Sequence, residues 1–163
     1  GSTVSGPATK TLNVEEYSGS AWTEINNVNT ARYGAQAGGT TTAGICGPGL
    51  SSPPSVADVV EEYNGTSWSE VNNLNTARSG YGASNTPAST WLIFSGTPLS
   101  LLTEAYDGTS WTEVADSVVA TQELDGAGSG VAALKMGGNN PSGYPTASEE
   151  WALASATKTF TAS

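Results

Sequence analysis

An all-β fold is the class this sequence predicts, and three observations predict it. Helix-forming charge is scarce: charged residues make up 12 %, with 5 Lys+Arg against 15 Asp+Glu, whereas amphipathic helices are normally rich in Glu, Lys, Arg and Leu. Turn formers are abundant, with 20 Gly and 8 Pro beside long Ser/Thr-rich stretches, a mixture that suits short strands and many turns. The third observation is a repeat, and a fixed period reassigns every local signal within it. A length of 163 residues suits one domain with a real core, so residues 1–163 are read as a single unit.

The segment Glu15-Glu16-Tyr17-Ser18-Gly19-Ser20-Ala21-Trp22-Thr23-Glu24-Ile25 returns as Glu61-Glu62-Tyr63-Asn64-Gly65-Thr66-Ser67-Trp68-Ser69-Glu70-Val71. It returns again as Glu104-Ala105-Tyr106-Asp107-Gly108-Thr109-Ser110-Trp111-Thr112-Glu113-Val114, so the tryptophans advance by 46 and then 43 residues. A degraded copy starts at Glu149-Glu150-Trp151. These copies divide the chain into repeats of roughly 1–31, 32–77, 78–121 and 122–163. After the first two hairpins comes Asn-Asn-Val/Leu-Asn-Thr-Ala-Arg, ending at Arg32 and Arg78, and the third copy drifts to Val119-Ala120-Thr121-Gln122 and loses the arginine.

Each element follows from this unit. The repeated segment carries a hairpin signature, two β-favouring runs around a two-residue Ser-Gly, Asn-Gly or Asp-Gly turn. With Asn64 and Gly65 as the turn, Glu61 faces Trp68, and Val59, Tyr63 and Trp68 share one face while Val60 and Val71 share the other. A ribbon apolar on both faces has to be covered twice, as it is where small sheets stack side by side. Two further strands precede each hairpin. One is punctuated by glycine (Tyr33 to Gly38, Ser79 to Ala83, Gly126 to Gly130), as the crowded centre of a ring of sheets requires. The other is apolar and ends in glycine (Thr42 to Gly47, Thr90 to Gly96, Val131 to Gly138). Four strands in about 45 residues is the size of a propeller blade.

An apolar strand ending in Gly137-Gly138, weakened to Gly47-Pro48-Gly49 and Ser95-Gly96, then a Tyr, a Trp five residues on and an Arg ten beyond it, resembles a kelch repeat. More narrowly, Glu61 to Arg78 resembles the kelch-like arrays of marine bacteriophages, particularly those of cyanobacteria. The resemblance runs from about Thr11 to Trp151. It implies a β-propeller of about four four-stranded blades and a place in the virion or a tail appendage, hence a virion or extracellular location. Implied partners are other virion proteins or host-surface glycans and proteins. Blade arithmetic gives nearly four blades with one inner strand missing: Ser2 to Gly6 supplies at most a short second strand, and Lys158 to Ser163 finishes the last repeat. Closure as a four-bladed ring is the first expectation; a larger ring shared by two copies, or a slice of a longer array, stays open, and an unclosed end predicts a homo-oligomer.

The function classes follow from charge and chemistry. A net charge of −10 without a basic run leaves nothing to neutralise phosphates and excludes nucleic acid as a partner. No stretch approaches the ~20 apolar residues of a membrane-spanning helix, so no membrane insertion is expected. Gly1-Ser2 reads as a cloning remnant, so the lack of a leader carries no weight. Cys46, the single cysteine, reads as a small strand residue rather than a nucleophile. With no histidine, the usual serine or cysteine triads and His-ligated metal sites are excluded, and the chain reads as a non-enzyme without cofactor.

The pairs Glu15-Glu16, Glu61-Glu62 and Glu149-Glu150 alternate along strands, so they set no two neighbouring carboxyls on one substrate. Oxygen ligation of calcium by Asn26, Asn27, Asn72, Asn73 and Asp116 stays open, though no Asp-x-Asp loop is present. Arg32 and Arg78 read as structural groups bonding carbonyls or a neighbouring blade's carboxylate. The template pairs Tyr17/Trp22, Tyr63/Trp68 and Tyr106/Trp111 are assigned to packing, and Trp91 to the strand core. Aromatics that break the repeat, Tyr33, Tyr81 and Tyr144, are the candidate ligand contacts. The reading is a binding or structural module; a lectin-like propeller holding sugars weakly at several blade edges is the alternative.

Overall fold

The computed structural model describes residues 12–51, 55–146 and 148–153. All of its regular elements are strands, arranged in antiparallel sheets that follow one another along the chain. The first sheet pairs β1 (Val14–Tyr17) with β2 (Trp22–Ile25). The second runs β3 (Ala37–Thr40), β4 (Ala43–Cys46), β5 (Glu61–Tyr63), β6 (Trp68–Glu70) in simple up-and-down order. The third repeats that order with β7 (Gly82–Ala83), β8 (Trp91–Phe94), β9 (Thr103–Tyr106) and β10 (Trp111–Val114). The fourth contains β11 (Asp125–Ser129), β12 (Ala132–Met136) and β13 (Glu149–Ala152). The strands expected at Ser2 to Gly6 and Lys158 to Ser163 lie outside the described residues.

The hairpin register differs from the two-residue turn. Tyr63 pairs with Trp68 and Glu61 with Glu70, so four residues, Asn64 to Ser67, form the connection. The Asn64 side chain is the reason: its Oδ1 accepts from Thr66 N and Ser67 N, both at 2.9 Å. Asp107 does the same for Thr109 N and Ser110 N at 2.8 and 2.7 Å, and these amides, ahead of the Ser110 hydroxyl, hold its carboxyl below the ordinary range. Such an Asx turn wraps the loop around the first side chain and leaves glycine (φ +90° at Gly65, +92° at Gly108) to take the left-handed step. A shift of register by two residues leaves every side chain on its face. Tyr63 and Trp68 therefore still lie together, their rings now directly cross-strand at 5.1 Å.

Consecutive sheets meet along their glycine-bearing first strands. Gly39 N donates to Asn85 O, Asn85 N to Gly128 O at 3.0 Å, and Glu123 N to Gly80 O at 2.7 Å. Side chains would not fit there: a Cβ on Gly38 would stand 2.6 Å from Asn85 O, and one on Gly126 2.3 Å from Ala83 O. The approach is possible because these positions have no side chain. The core lies between the second and third sheets, around Ile45, Val60, Leu74, Tyr81, Trp91 and Ile93. A smaller cluster of Leu92, Phe94, Leu124 and Ala133 joins the third sheet to the fourth.

The same template residue meets three environments. Trp111 is 7 % exposed and Trp22 66 %, while Trp68 is half-buried and its Nε1 is buried without a partner. Trp111 Nε1 bonds Asn72 O at 3.0 Å and its ring meets Trp91; Tyr17 beside Trp22 is itself 51 % exposed. Trp111→Ala is expected to lower unfolding free energy by ~3–5 kcal/mol, and Trp22→Ala by less than ~1 kcal/mol. Urea unfolding of the two variants checks this, and equal losses would contradict the burial order.

Candidate functional site

The buried polar groups form one arrangement, used twice and then rebuilt. Its centre is a carboxylate on the third strand of a sheet, Glu61 on β5 and Glu104 on β9, 0 % and 1 % exposed. The loop leaving the preceding sheet delivers the donors. Glu61 Oε2 accepts from Asn29 N at 2.7 Å and Asn29 Nδ2 at 2.9 Å, and its Oε1 from Thr30 N at 3.1 Å and from the Arg32 guanidinium. Glu104 accepts from Asn75 N at 2.8 Å, Thr76 N at 3.2 Å and Arg78. Each arginine then closes the loop on itself and on the next sheet. Arg32 reaches Thr30 O, Gly47 O and Val59 O, and Arg78 reaches Thr76 O, Ser95 O and Leu102 O. Burial lowers the Arg78 pKa, and the Glu104 carboxylate beside it opposes that shift.

The asparagines complete the lock. Asn29 Nδ2 also bonds Trp68 O and Asn75 Nδ2 bonds Trp111 O, both at 3.0 Å. Asn26 Nδ2 donates to Thr66 O, and Asn72 Nδ2 to Thr109 O at 2.7 Å. The repeated Asn-x-x-Asn-Thr-Ala-Arg is thus a clamp from one sheet's exit loop onto the next sheet's hairpin.

At the third junction Thr121 stands where the arginine was, its Oγ1 buried without a partner. The cation comes instead from β12. Lys135 pairs across the sheet with Glu149, the position held by Cys46 opposite Glu61 and Ile93 opposite Glu104. Its Nζ lies 2.8 Å from Glu149 Oε1 and also donates to Val119 O, while Val118 N and Val119 N donate to the same carboxylate. The arginine lost from the loop is therefore replaced by a lysine from within the sheet. Burial by itself raises the Glu149 pKa, but the Lys135 and backbone hydrogen bonds outweigh it and hold the carboxyl below 4.5.

The candidate contacts are dispersed. Tyr81 is 0 % exposed, its hydroxyl donating to Pro48 O at 2.9 Å and accepting from Gln36 N at 3.2 Å. It is a core residue joining the second and third sheets and not a ligand contact, and burial pushes its pKa far up. Tyr33, 47 % exposed, precedes β3, where its backbone bridges Leu50; Tyr144, 84 % exposed, lies in the loop before β13. Among the described residues, none of the three stacks on another ring or lines either of the two cavities described below. Trp91 is buried in β8, its Nε1 bonding Ser84 O. Cys46 is half-buried, and burial raises its thiol pKa, the direction of an inert thiol.

Asn26 and Asn72 spend their amide nitrogens in the clamp, and among the described residues no group of three or more Cys, Asp or Glu is placed to hold a metal. Glu62 flanks Tyr106, whose hydroxyl is pushed up to about 12, first by burial and then by that carboxylate. Among the described residues no helix is long and apolar enough to cross a membrane. One cleft of about 230 Å³ lies between the third and fourth sheets, lined by Phe94, Thr103, Asp116, Lys135, Glu149 and Trp151. A second of about 400 Å³ separates the first sheet from the second, between Val14, Tyr17, Trp22 and Ile25 on one side and Gly38 and Ile45 on the other.

No family model matches the sequence, and no curated protein matches it. Among solved structures, the chain is similar to YjhT, with a TM-score of 0.71 at 13 % identity. The match covers 83 % of this chain and 47 % of that one, so the chain spans about half the length of its structural neighbour. The likeness is one of fold and supports a β-propeller-like all-β architecture.

Because the folded state lowers the Glu149 pKa, ionisation of this group stabilises the chain. That contribution is complete above about pH 4.5 and is lost as pH falls through the lower folded-state pKa. Glu149→Gln should therefore make stability fall less steeply with acidification below about pH 4.5, read by urea unfolding across a pH series. An unchanged acid limb would contradict the charged Lys135–Glu149 pair.

Proposed function

We propose that this chain is a non-catalytic, kelch-like β-propeller module serving as a structural or binding part of a bacteriophage virion or tail appendage. The observation that carries the reading is the use made of buried charge. All three cations among the described residues, Arg32, Arg78 and Lys135, are spent on carboxylates and carbonyls at sheet junctions. Among the described residues no cation is left to hold an anionic substrate, and the groups free to make contacts lie on exposed turns and loops. A rigid scaffold whose polar machinery is internal, with a repeated outer rim of Ser18-Gly19, Asn64-Gly65 and Asp107-Gly108 turns, suits display and attachment rather than turnover.

The sheets are read as blades around a common axis. The exposed Tyr17 and Trp22 face and the half-length match to YjhT favour a share of a larger ring over closure by this chain alone. A lectin-like propeller is the second reading, favoured by the exposed rings of Tyr33 and Tyr144. Mass spectrometry of purified particles of a phage encoding the chain tests the first: its peptides are expected at structural-protein abundance, and their absence from intact virions would overturn it. On a glycan array, no binder above background would count against the second reading. A concentration-dependent glycan signal lost on Tyr33→Ala or Tyr144→Ala would transfer the function to the second.

A further inference from the structure

We infer that the β1–β2 hairpin is a docking surface for the exit loop of another repeat of this type, carried by a partner protein and reading Asn-x-x-Asn-Thr-x-Arg. The inference rests on the propeller reading above and names the partner at its open side. The carrying observation is that the hairpin holds the acceptor half of a clamp whose donor half is not found among the described residues. Glu15 pairs with Glu24 as Glu61 pairs with Glu70 and Glu104 with Glu113, so the three carboxylates occupy one register position. Glu61 and Glu104 are sealed under an exit loop. Glu15 is exposed and, among the described residues, has no ion-pair or hydrogen-bond partner.

The surroundings of Glu15 match the other two junctions. Asn29 and Asn75 cap the carbonyls of Trp68 and Trp111, and the corresponding carbonyl here belongs to Trp22. Asn26 and Asn72 reach the residue two before each tryptophan, which in this hairpin is Ser20. Tyr17 and Trp22 stack at 5.2 Å as the other two pairs do, but are 51 % and 66 % exposed.

The internal clamps show what covers such a hairpin, and charge selects the arginine. A second copy of this chain does not supply it, because Arg32 and Arg78 are both engaged in their own chain. YjhT is matched over 47 % of its length, so about as much of that chain again lies beyond the match.

The test is titration of the full chain with a synthetic peptide copying residues 69–80, Ser-Glu-Val-Asn-Asn-Leu-Asn-Thr-Ala-Arg-Ser-Gly, followed by backbone amide NMR and Trp22 fluorescence. Saturable shifts confined to 14–25 are expected, weakened at least about tenfold by Glu15→Gln or by Arg→Ala in the peptide. Absence of saturation at millimolar peptide, equal binding by the Glu15→Gln chain, or shifts centred elsewhere would overturn the inference. Light scattering on the chain alone provides a further arm, since self-association that protects Trp22 would assign the surface to a second copy and overturn it too. Glu104→Gln is the internal control. If that variant is destabilised while the peptide fails, the docking inference falls alone; if Glu104→Gln is also without effect, the clamp and the propeller reading built on it fall with it.

Discussion

Burying a carboxylate costs several kcal/mol unless its oxygens are filled by donors in place, and this chain buries one at each of two sheet junctions, Glu61 and Glu104. The rest of the architecture serves that requirement. The donors are two successive backbone amides, an asparagine side chain and a guanidinium, and only a loop leaving the neighbouring sheet at one height and angle presents them together. Satisfying the carboxylate therefore fixes the spacing and rotation between sheets. Apolar contact such as Trp91 on Trp111 adds burial but is less directional. The clamp specifies the arrangement, and the apolar core supplies much of its stability.

The rebuilt third junction shows which part of the clamp is essential. Thr121 removes the guanidinium, yet two backbone amides still reach Glu149 and a cation still meets it, now from Lys135. What persists is a neutralised, fully bonded carboxylate on the third strand; the origin of the positive charge is interchangeable. Lysine is a point donor without a planar fork, and this junction is the more open one, with side chains 8 % and 17 % exposed and a cleft beside them. Along the first strands, close backbone approach at Gly38 and Gly126 holds consecutive sheets at their other edge. The second, third and fourth sheets are thus each gripped along the first strand and at the carboxylate of the third.

Much of this was legible in the sequence, and the failures have definite causes. The period, the Tyr and Trp pairs and the glycine-bearing first strands came from spacing alone, and Arg32 and Arg78 took the structural roles their position in the repeat suggested. The hairpin connection is longer than an Asn-Gly pair implies, because the Asn64 side chain caps two amides and an Asx turn of this kind is hard to tell from a two-residue turn by composition. Tyr81 breaks the template and so reads as a contact residue from sequence; it breaks the template because its hydroxyl reaches across a junction to Pro48 and Gln36. The Lys135–Glu149 pair was missed although a signal existed. Loss of arginine at Thr121 coincides with a lysine in an otherwise apolar strand, and only knowledge of the sheet register connects the two.

The central claim, that a bonded charge pair and not apolar contact alone sets the junction between sheets, is tested most directly by a double-mutant cycle on Arg78 and Glu104. Arg78→Met, Glu104→Gln and the double variant would be compared by urea unfolding at neutral pH. The clamp predicts that each single change is strongly destabilising and that the double variant recovers about 2–4 kcal/mol relative to their sum. Single effects that add to within about 0.5 kcal/mol would contradict it, and would leave the junction to packing alone.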